Sequence, residues 1–142
     1  MKRIAIITSL VLLALSLAVF LTRESVLHQD YKQVLQDGYK YFGNEVFLDM
    51  DNDQVEDVAF LVTREDQGKT LFYLAGAIRK EGGYLGTKIS LLGENISPQT
   101  TEKRDGGVVL VNFAVGANPS VGRSIWFKLD PKKLQFTEVK GS

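Results

Sequence analysis

Cysteine is absent from this 142-residue chain, and histidine occurs once, at position 28. Without cysteine the chain has no disulfides, thiolate metal sites, cysteine nucleophiles or lipid attached through a cysteine sulfur. A lone histidine near the N-terminus argues against a Ser-His-Asp triad or a His-based zinc site. We therefore predict that the protein is not an enzyme and that a hydrophobic core or a bound ion stabilises it.

An excess of either charge is also missing, because 17 Lys and Arg residues balance 17 Asp and Glu residues. Without Lys2 and Arg3 the rest of the chain carries 15 basic and 17 acidic side chains, a net charge of −2. No basic field is available to hold a phosphate backbone. The charge pattern therefore excludes nucleic acid as the partner.

The N-terminus combines two positive charges with an uninterrupted apolar run. Lys2 and Arg3 precede residues 4–21, which are apolar apart from Thr8, Ser9 and Ser16. A helix of these residues would be about 27 Å long, close to the thickness of the hydrocarbon core of a bilayer. The membrane-facing positions include Ile4, Leu10, Leu13, Leu17 and Leu21.

This run predicts that residues 1–22 are a short cytoplasmic stub and a single transmembrane anchor in the cell membrane. The positive-inside bias then places the C-terminal part on the extracytoplasmic side. The alternative is a signal peptide cleaved near Ser16-Leu17-Ala18, which would release a secreted protein. Because that small-x-small site lies inside the apolar run, the length of the run favours the anchor.

Residues 23–37 have apolar side chains at a roughly helical spacing, and Gly38 follows as a natural stop. We therefore expect residues 23–38 to form a juxtamembrane helix or stalk. The apolar positions are Val26, Leu27, Tyr31, Val34 and Leu35.

Residues 39–142 are predicted to form an exported β domain, because short apolar stretches alternate with turn residues. The central stretch 58–62 is continuously apolar, as in a strand that is buried on both faces. About seven short strands indicate a mainly β fold, either an antiparallel sandwich or a partly open barrel. Its core is expected to include Phe113, Trp126 and Phe127. The seven strand segments are 39–48, 58–62, 70–78, 84–92, 108–115, 124–129 and 134–139, and residues 96–103 are a candidate for a further short strand.

Residues 49–57 crowd five carboxylates into nine positions. Calcium takes six to eight oxygen ligands, and a loop with acids at alternate positions can wrap around it. Neighbouring like charges repel by about 1 kcal/mol per contacting pair even in water, and a cation relieves that repulsion. We predict a calcium site formed by the side chains of Asp49, Asp51, Asp53 and Asp57 with the backbone carbonyl of Val55.

The loop resembles the Asp-x-Asp-x-Asp-Gly-x-x-Asp loops of integrin-type β-propeller repeats, dockerins and other extracellular calcium modules. It departs from them at Gln54, where the family has the glycine that makes the sharp turn. Asn52 tolerates left-handed backbone geometry and offers another position for that turn. The alternative to a metal site is an acidic turn in solvent between two strands.

A wider resemblance covers most of residues 39–129. The acidic loop with Val58-Ala59, the segment Leu71-Phe72-Tyr73-Leu74 and the segment 91–96 are together similar to a group of uncharacterised bacterial envelope proteins. Glu94-Asn95 departs from that group, in which the Leu-Gly pair is usually followed by Asp-Arg. The resemblance implies a small exported β domain and supplies no catalytic residues.

These observations predict a non-catalytic interaction or structural module that is held at the cell envelope and binds an unidentified protein partner. One alternative is an accessory subunit of an envelope complex, positioned through the 23–37 helix. A second alternative is an envelope hydrolase that uses acidic residues, for which Asp57 would have to face a second acid across a deep pocket.

Overall fold

The structure is a computed structural model that describes residues 30–117 and 119–141. Within these ranges the chain forms a one-turn 3₁₀ helix and nine β-strands, all of which lie in antiparallel sheets. In chain order the elements are the 3₁₀ helix (Asp30–Val34), β1 (Lys40–Leu48), β2 (Asp57–Asp66), β3 (Lys69–Lys80), β4 (Gly83–Gly86), β5 (Ser90–Glu94), β6 (Ser97–Arg104), β7 (Val108–Val115), β8 (Val121–Asp130) and β9 (Gln135–Val139).

The strands are arranged in two sheets. The first has the order β1-β2-β3-β4, with β5 also paired to β3, and the second has the order β6-β7-β8-β9. The prediction of a mainly β, antiparallel two-sheet fold is confirmed, with nine strands in the described residues instead of about seven. These strands do not close into a barrel.

The hydrophobic core lies between the two sheets. Side chains alternate along each strand, so that Ala59 and Leu61 of the first sheet face Val109 and Val111 of the second. Phe113 and Phe127 belong to this core, as the sequence predicts. The placement of Trp126 in the core is wrong. Because its neighbour Phe127 faces inward, Trp126 lies on the opposite, outer face of β8, where the Arg104 guanidinium is 5.7 Å from its ring centroid.

Strand β2 is buried on both faces, as its apolar sequence indicates. Residues 58–62 are all completely inaccessible to solvent. One face contributes to the core between the sheets, and the segment after the 3₁₀ helix packs on the other. Leu35 and Tyr39 of this segment lie beside Phe60, and the ring centroid of Tyr41 in β1 is 5.8 Å from that of Phe60. Gly86 leaves room for Val34, whose Cβ would be only 3.0 Å from a side chain at position 86.

The described part of the segment predicted as a helix, residues 23–37, is helical only over Asp30–Val34, and as a 3₁₀ turn. The N–H group of Leu35 donates to the carbonyl of Lys32, which is a 3₁₀ bond, and the chain then leaves the helix. A continuing helix would carry Val34 and Leu35 away from the sheet that they cover. Residues 23–29 of the prediction lie outside the described ranges.

The single strand expected over residues 84–92 is divided into β4 and β5. Thr87 still pairs with β3, because its N–H donates to the carbonyl of Gly76 over 2.9 Å. The next residue leaves the first sheet, and the N–H of Lys88 donates to the carbonyl of Leu134, beside β9 in the second sheet, over 2.7 Å. This link to a distant segment cannot be seen in the local sequence of residues 84–92.

The predicted membrane anchor, with Ile4, Leu10, Leu13, Leu17 and Leu21, lies outside the described residues. In the described part of the chain, no helix has the length and apolar character needed to cross a bilayer.

The turn between β6 and β7 packs against the acidic loop of the other sheet. Asp105-Gly106-Gly107 forms this turn, as the sequence predicts, and both glycines have positive φ angles of 75° and 71°. A Cβ atom at Gly107 would lie 2.8 Å from the carbonyl oxygen of Asp49, whereas one at Gly106 would meet no atom within 4 Å. Gly107 therefore permits the two sheets to meet at the acidic loop.

Replacing Gly107 with alanine should destabilise the domain more than the same change at its neighbour. Both variants place a side chain at positive φ, which costs about 1–2 kcal/mol. Only Gly107→Ala also forces the turn away from the acidic loop, so we expect a total loss of about 3 kcal/mol for it. Chemical denaturation of both variants measures this difference. Equal losses for Gly106→Ala and Gly107→Ala would contradict the close contact.

Candidate metal centre

The acidic loop connects two strands whose ends are fixed in the core. Residues 49–56 lie between β1 and β2, and the flanking residues Leu48 and Val58 are both buried. The loop borders an open groove of about 650 Å³, which is also lined by Gly107 and by Lys128 of β8. An ion can therefore reach the loop from solvent.

Asp49 organises the loop by binding its backbone. One carboxylate oxygen accepts hydrogen bonds from the N–H groups of Asn52, at 2.7 Å, and Asp53, at 3.2 Å. The other accepts from the N–H group of Gln54 at 2.9 Å. An aspartate that binds the backbone ahead of it favours a tight turn, so the first acid of the motif shapes the loop.

The missing glycine of the calcium-loop pattern is replaced without loss of the turn. Asn52 has a φ of 64° and Gln54 a φ of 68°, and both values lie in the left-handed region. Asparagine tolerates this region well, whereas glutamine pays about 1 kcal/mol for it. The loop thus keeps its left-handed residue at the position where the related loops have glycine.

Asp57 is a fully buried carboxylate that connects the loop to β3. One of its oxygens accepts a hydrogen bond from the N–H group of Met50, and the other accepts from that of Arg79, each at 2.8 Å. Burial raises the pKa of the Asp57 carboxyl, and these two hydrogen bonds offset only part of that effect. The nearby charges of Asp51 and Asp53 raise its pKa further.

Asp51 has one carboxylate oxygen bound and one free. Its Oδ2 forms an ion pair with the ammonium group of Lys80 at the end of β3. Among the described residues its Oδ1 has no hydrogen-bond partner, although this atom is sealed from solvent. The whole side chain is only 10% exposed. A buried carboxylate oxygen without a partner is costly, because it has lost its water and gained nothing in exchange.

Three of the predicted ligands converge. Asp49, Asp51 and Asp57 each place one carboxylate oxygen within 4.8 Å of the others. Oxygens that bind the same calcium ion at 2.3–2.6 Å are separated by at most about 5.2 Å. The separations of the three oxygens are therefore compatible with a single hard cation.

Asp53 does not belong to this group, whereas the role of the Val55 backbone carbonyl stays a prediction. The carboxylate of Asp53 accepts a hydrogen bond from the N–H of Val55 through Oδ1 and one from Lys80 through Oδ2, each at 2.9 Å. The bond from Lys80 is the main reason why the pKa of Asp53 is lowered. The side chain of Val55 is 39% exposed.

Lys80 is a further residue of the candidate site, and the loop sequence does not reveal it. It lies 27 residues after Asp53 in the chain, and the hairpin of β2 and β3 brings it to the loop. Hydrogen bonds to Asp51 and Asp53 raise the pKa of Lys80, which keeps its ammonium group charged. Val58, the residue after Asp57, pairs with Ala77, and Lys80 follows three residues later. The position of Lys80 beside the loop therefore depends on the pairing of β2 with β3.

Comparisons of the chain with protein-family models, with curated proteins and with solved structures found no match. Its chemistry must therefore be inferred from the residues of the loop and from the fold that positions them.

Replacing Asp57 with asparagine should destabilise the domain even without metal. Asparagine offers one acceptor oxygen, so either the N–H of Met50 or that of Arg79 would lose its partner inside the protein. We expect a loss of about 1–3 kcal/mol in the free energy of unfolding, measured by denaturation in chelator. Asp66→Asn, at the exposed end of the same strand, is the matched control and should change stability little.

The cost of Asp57→Asn should also decrease as the pH rises. Because the pKa of Asp57 is raised above the ordinary value of 3.8, the folded state holds this proton more tightly than the unfolded state. The stability that this proton provides is complete below pH 3.8 and is lost as the pH rises through the folded pKa. A cost that grows between pH 4 and pH 7 would contradict a pKa dominated by burial.

Proposed function

We propose that this protein is a non-catalytic structural or interaction module of the cell envelope, in which a calcium ion holds the loop between β1 and β2. The observation that carries this proposal is the convergence of Asp49, Asp51 and Asp57 around a common point. A ligand set made only of carboxylate oxygens suits hard cations such as calcium, and calcium tolerates irregular geometry better than magnesium does.

A structural role fits the environment of the three acids better than a catalytic one. Asp57 is completely buried, and both of its oxygens already accept backbone hydrogen bonds. A general acid or base must exchange its proton with a substrate, which this position does not allow. The interior between the sheets is filled with apolar side chains, which supports the non-catalytic proposal over an acid-dependent hydrolase.

The ion would connect the loop to several parts of the fold. Asp49 and Asp51 follow β1, Asp57 begins β2, and its carboxylate binds the backbone of β3. The turn between β6 and β7 packs on the same loop through Gly107. Calcium at this point would therefore fix the end of the sandwich where both sheets meet, and with it any partner surface nearby.

The proposal places the β domain on the extracytoplasmic side of the cell membrane, tethered through residues 1–22. Support comes from the charged residues Lys2 and Arg3 and the long apolar run that follows them. The extracellular setting suits a calcium site, because millimolar calcium there occupies at least about half of the loops that have dissociation constants of about 10⁻⁴–10⁻³ M. The resemblance to uncharacterised bacterial envelope proteins also supports an exported β domain.

Calcium should raise the thermal stability of the protein. With a dissociation constant in the extracellular range, 10 mM calcium would add about 1.4–2.7 kcal/mol to the free energy of unfolding. We expect a rise in melting temperature of about 5–15 °C relative to chelator. A melting temperature that stays constant up to 10 mM calcium would reduce the loop to an acidic turn.

The calcium-dependent rise should depend on the three converging acids. Asp51→Asn removes one charged ligand with little change in size and should abolish most of the rise. Glu56→Gln is the matched control, because Glu56 is an exposed acid of the same loop that lies outside the group. An equal loss of the rise in both variants would indicate a general charge effect and not a defined site.

The mass of the mature protein should distinguish the anchor from a cleaved signal peptide. We expect the intact 15.8 kDa chain in the membrane fraction of the producing cell, because the small-x-small site lies within the apolar run. Mass spectrometry of that fraction measures this directly. A product that lacks the first 16–18 residues and is found in the soluble fraction would contradict the anchor.

A further inference from the structure

The acidic loop already holds a cation, the ammonium group of Lys80. Its Nζ bonds Oδ2 of Asp51 and, at 2.9 Å, Oδ2 of Asp53. The Lys80 side chain is 45% exposed, so it reaches the loop from the solvent side. Its position at the last residue of β3 is set by the pairing of β2 with β3.

The ammonium group binds carboxylates that a calcium ion would also use. Asp51 belongs to the converging group, and Asp53 stands at a ligand position of the loop pattern. In the structure Asp53 is excluded from that group while it binds Lys80. A divalent ion next to the ammonium would be repelled by it, so the two cations favour different arrangements of the same carboxylates.

We propose that Lys80 is an internal competitor for calcium, which occupies the loop when the ion is absent and weakens its binding when the ion is present. Lys80 would thus determine the affinity of the site and hold it in the range of extracellular calcium concentrations. The lysine also protects the acidic loop from its own repulsion in the metal-free state, so that the domain remains folded without the ion.

Asp51 supplies the observation that distinguishes this arrangement from an ordinary surface ion pair. If Lys80 alone satisfied the loop, both oxygens of this nine-tenths buried side chain would be expected to have partners. Within the described residues Oδ1 has none, while Oδ2 carries the lysine. The free oxygen leaves one ligand position that the ammonium does not fill.

The test is a calcium titration of the full chain in mild detergent, followed by calorimetry, for the wild type and for variants at position 80. Lys80→Met and Lys80→Gln remove the competing charge and should bind calcium at least tenfold more tightly than the wild type. Lys80→Arg keeps a competing charge at the same place and should retain the affinity of the wild type. Using two neutral variants keeps the test valid if one of them folds poorly.

A second readout is whether Lys80→Met raises or lowers the thermal stability of the protein in chelator and with calcium. Lys80→Met should melt below the wild type in chelator, because the acids lose their counter-charge, and should gain more than the wild type does on addition of calcium. Lys69→Met is the matched control, since Lys69 lies at the other end of β3 and forms an exposed ion pair with Glu94. Its calcium affinity should equal that of the wild type.

This inference rests on the proposed calcium site, and the outcomes separate the two. Wild-type binding with unchanged or weaker binding by both neutral variants would overturn the competition while leaving the calcium site intact. No binding by any of the chains would overturn the calcium site itself. Binding by the neutral variants alone would support the competition and show that the wild-type loop retains its lysine in place of the metal.

Discussion

The buried carboxylate of Asp57 is the interaction on which the acidic end of the molecule depends. It accepts one hydrogen bond from the start of the loop, at Met50, and another from Arg79 near the end of β3. Those two bonds bring residues that are far apart in the chain to a common point. Since a buried acceptor that loses its partners is costly, the arrangement is strongly specified once the strands have paired.

The positions of the other charged groups follow from this anchor. With the loop held against β3, Lys80 reaches Asp51 and Asp53, and Asp49 is left to bind the backbone ahead of it. The acids of the loop thus have separate roles. Asp49 shapes the loop, Asp57 fixes it to β3, and Asp51 and Asp53 share the positive charge of Lys80.

The sequence predicts features that neighbouring residues determine, but not features that depend on contacts between segments far apart in the chain. The apolar residues 58–62 indicate a doubly buried strand, and Asp105-Gly106-Gly107 indicates a turn, because local composition decides both. The division of the predicted 84–92 strand depends on a bond from Lys88 to the other sheet, which no local pattern encodes. The outer position of Trp126 depends on the register of β8. Phe127 faces the interior, so its neighbour Trp126 faces outward.

The sequence likewise predicts only part of the candidate site. The alternate spacing of the acids predicts that Asp49, Asp51, Asp53 and Asp57 converge. Three of them do, whereas the carboxylate of Asp53 binds Lys80 instead. The involvement of Lys80 depends on the pairing of β2 with β3 and cannot be deduced from the loop. The sequence therefore indicates the acids of the candidate site but not the lysine that forms ion pairs with two of them.

The most direct test of the account is a crystal structure of the protein grown in 10 mM calcium. The account predicts one ion bound by oxygens of Asp49, Asp51 and Asp57 at about 2.3–2.6 Å, with Lys80 displaced from Asp53. A loop without an ion, in which Lys80 still binds both Asp51 and Asp53, would contradict it.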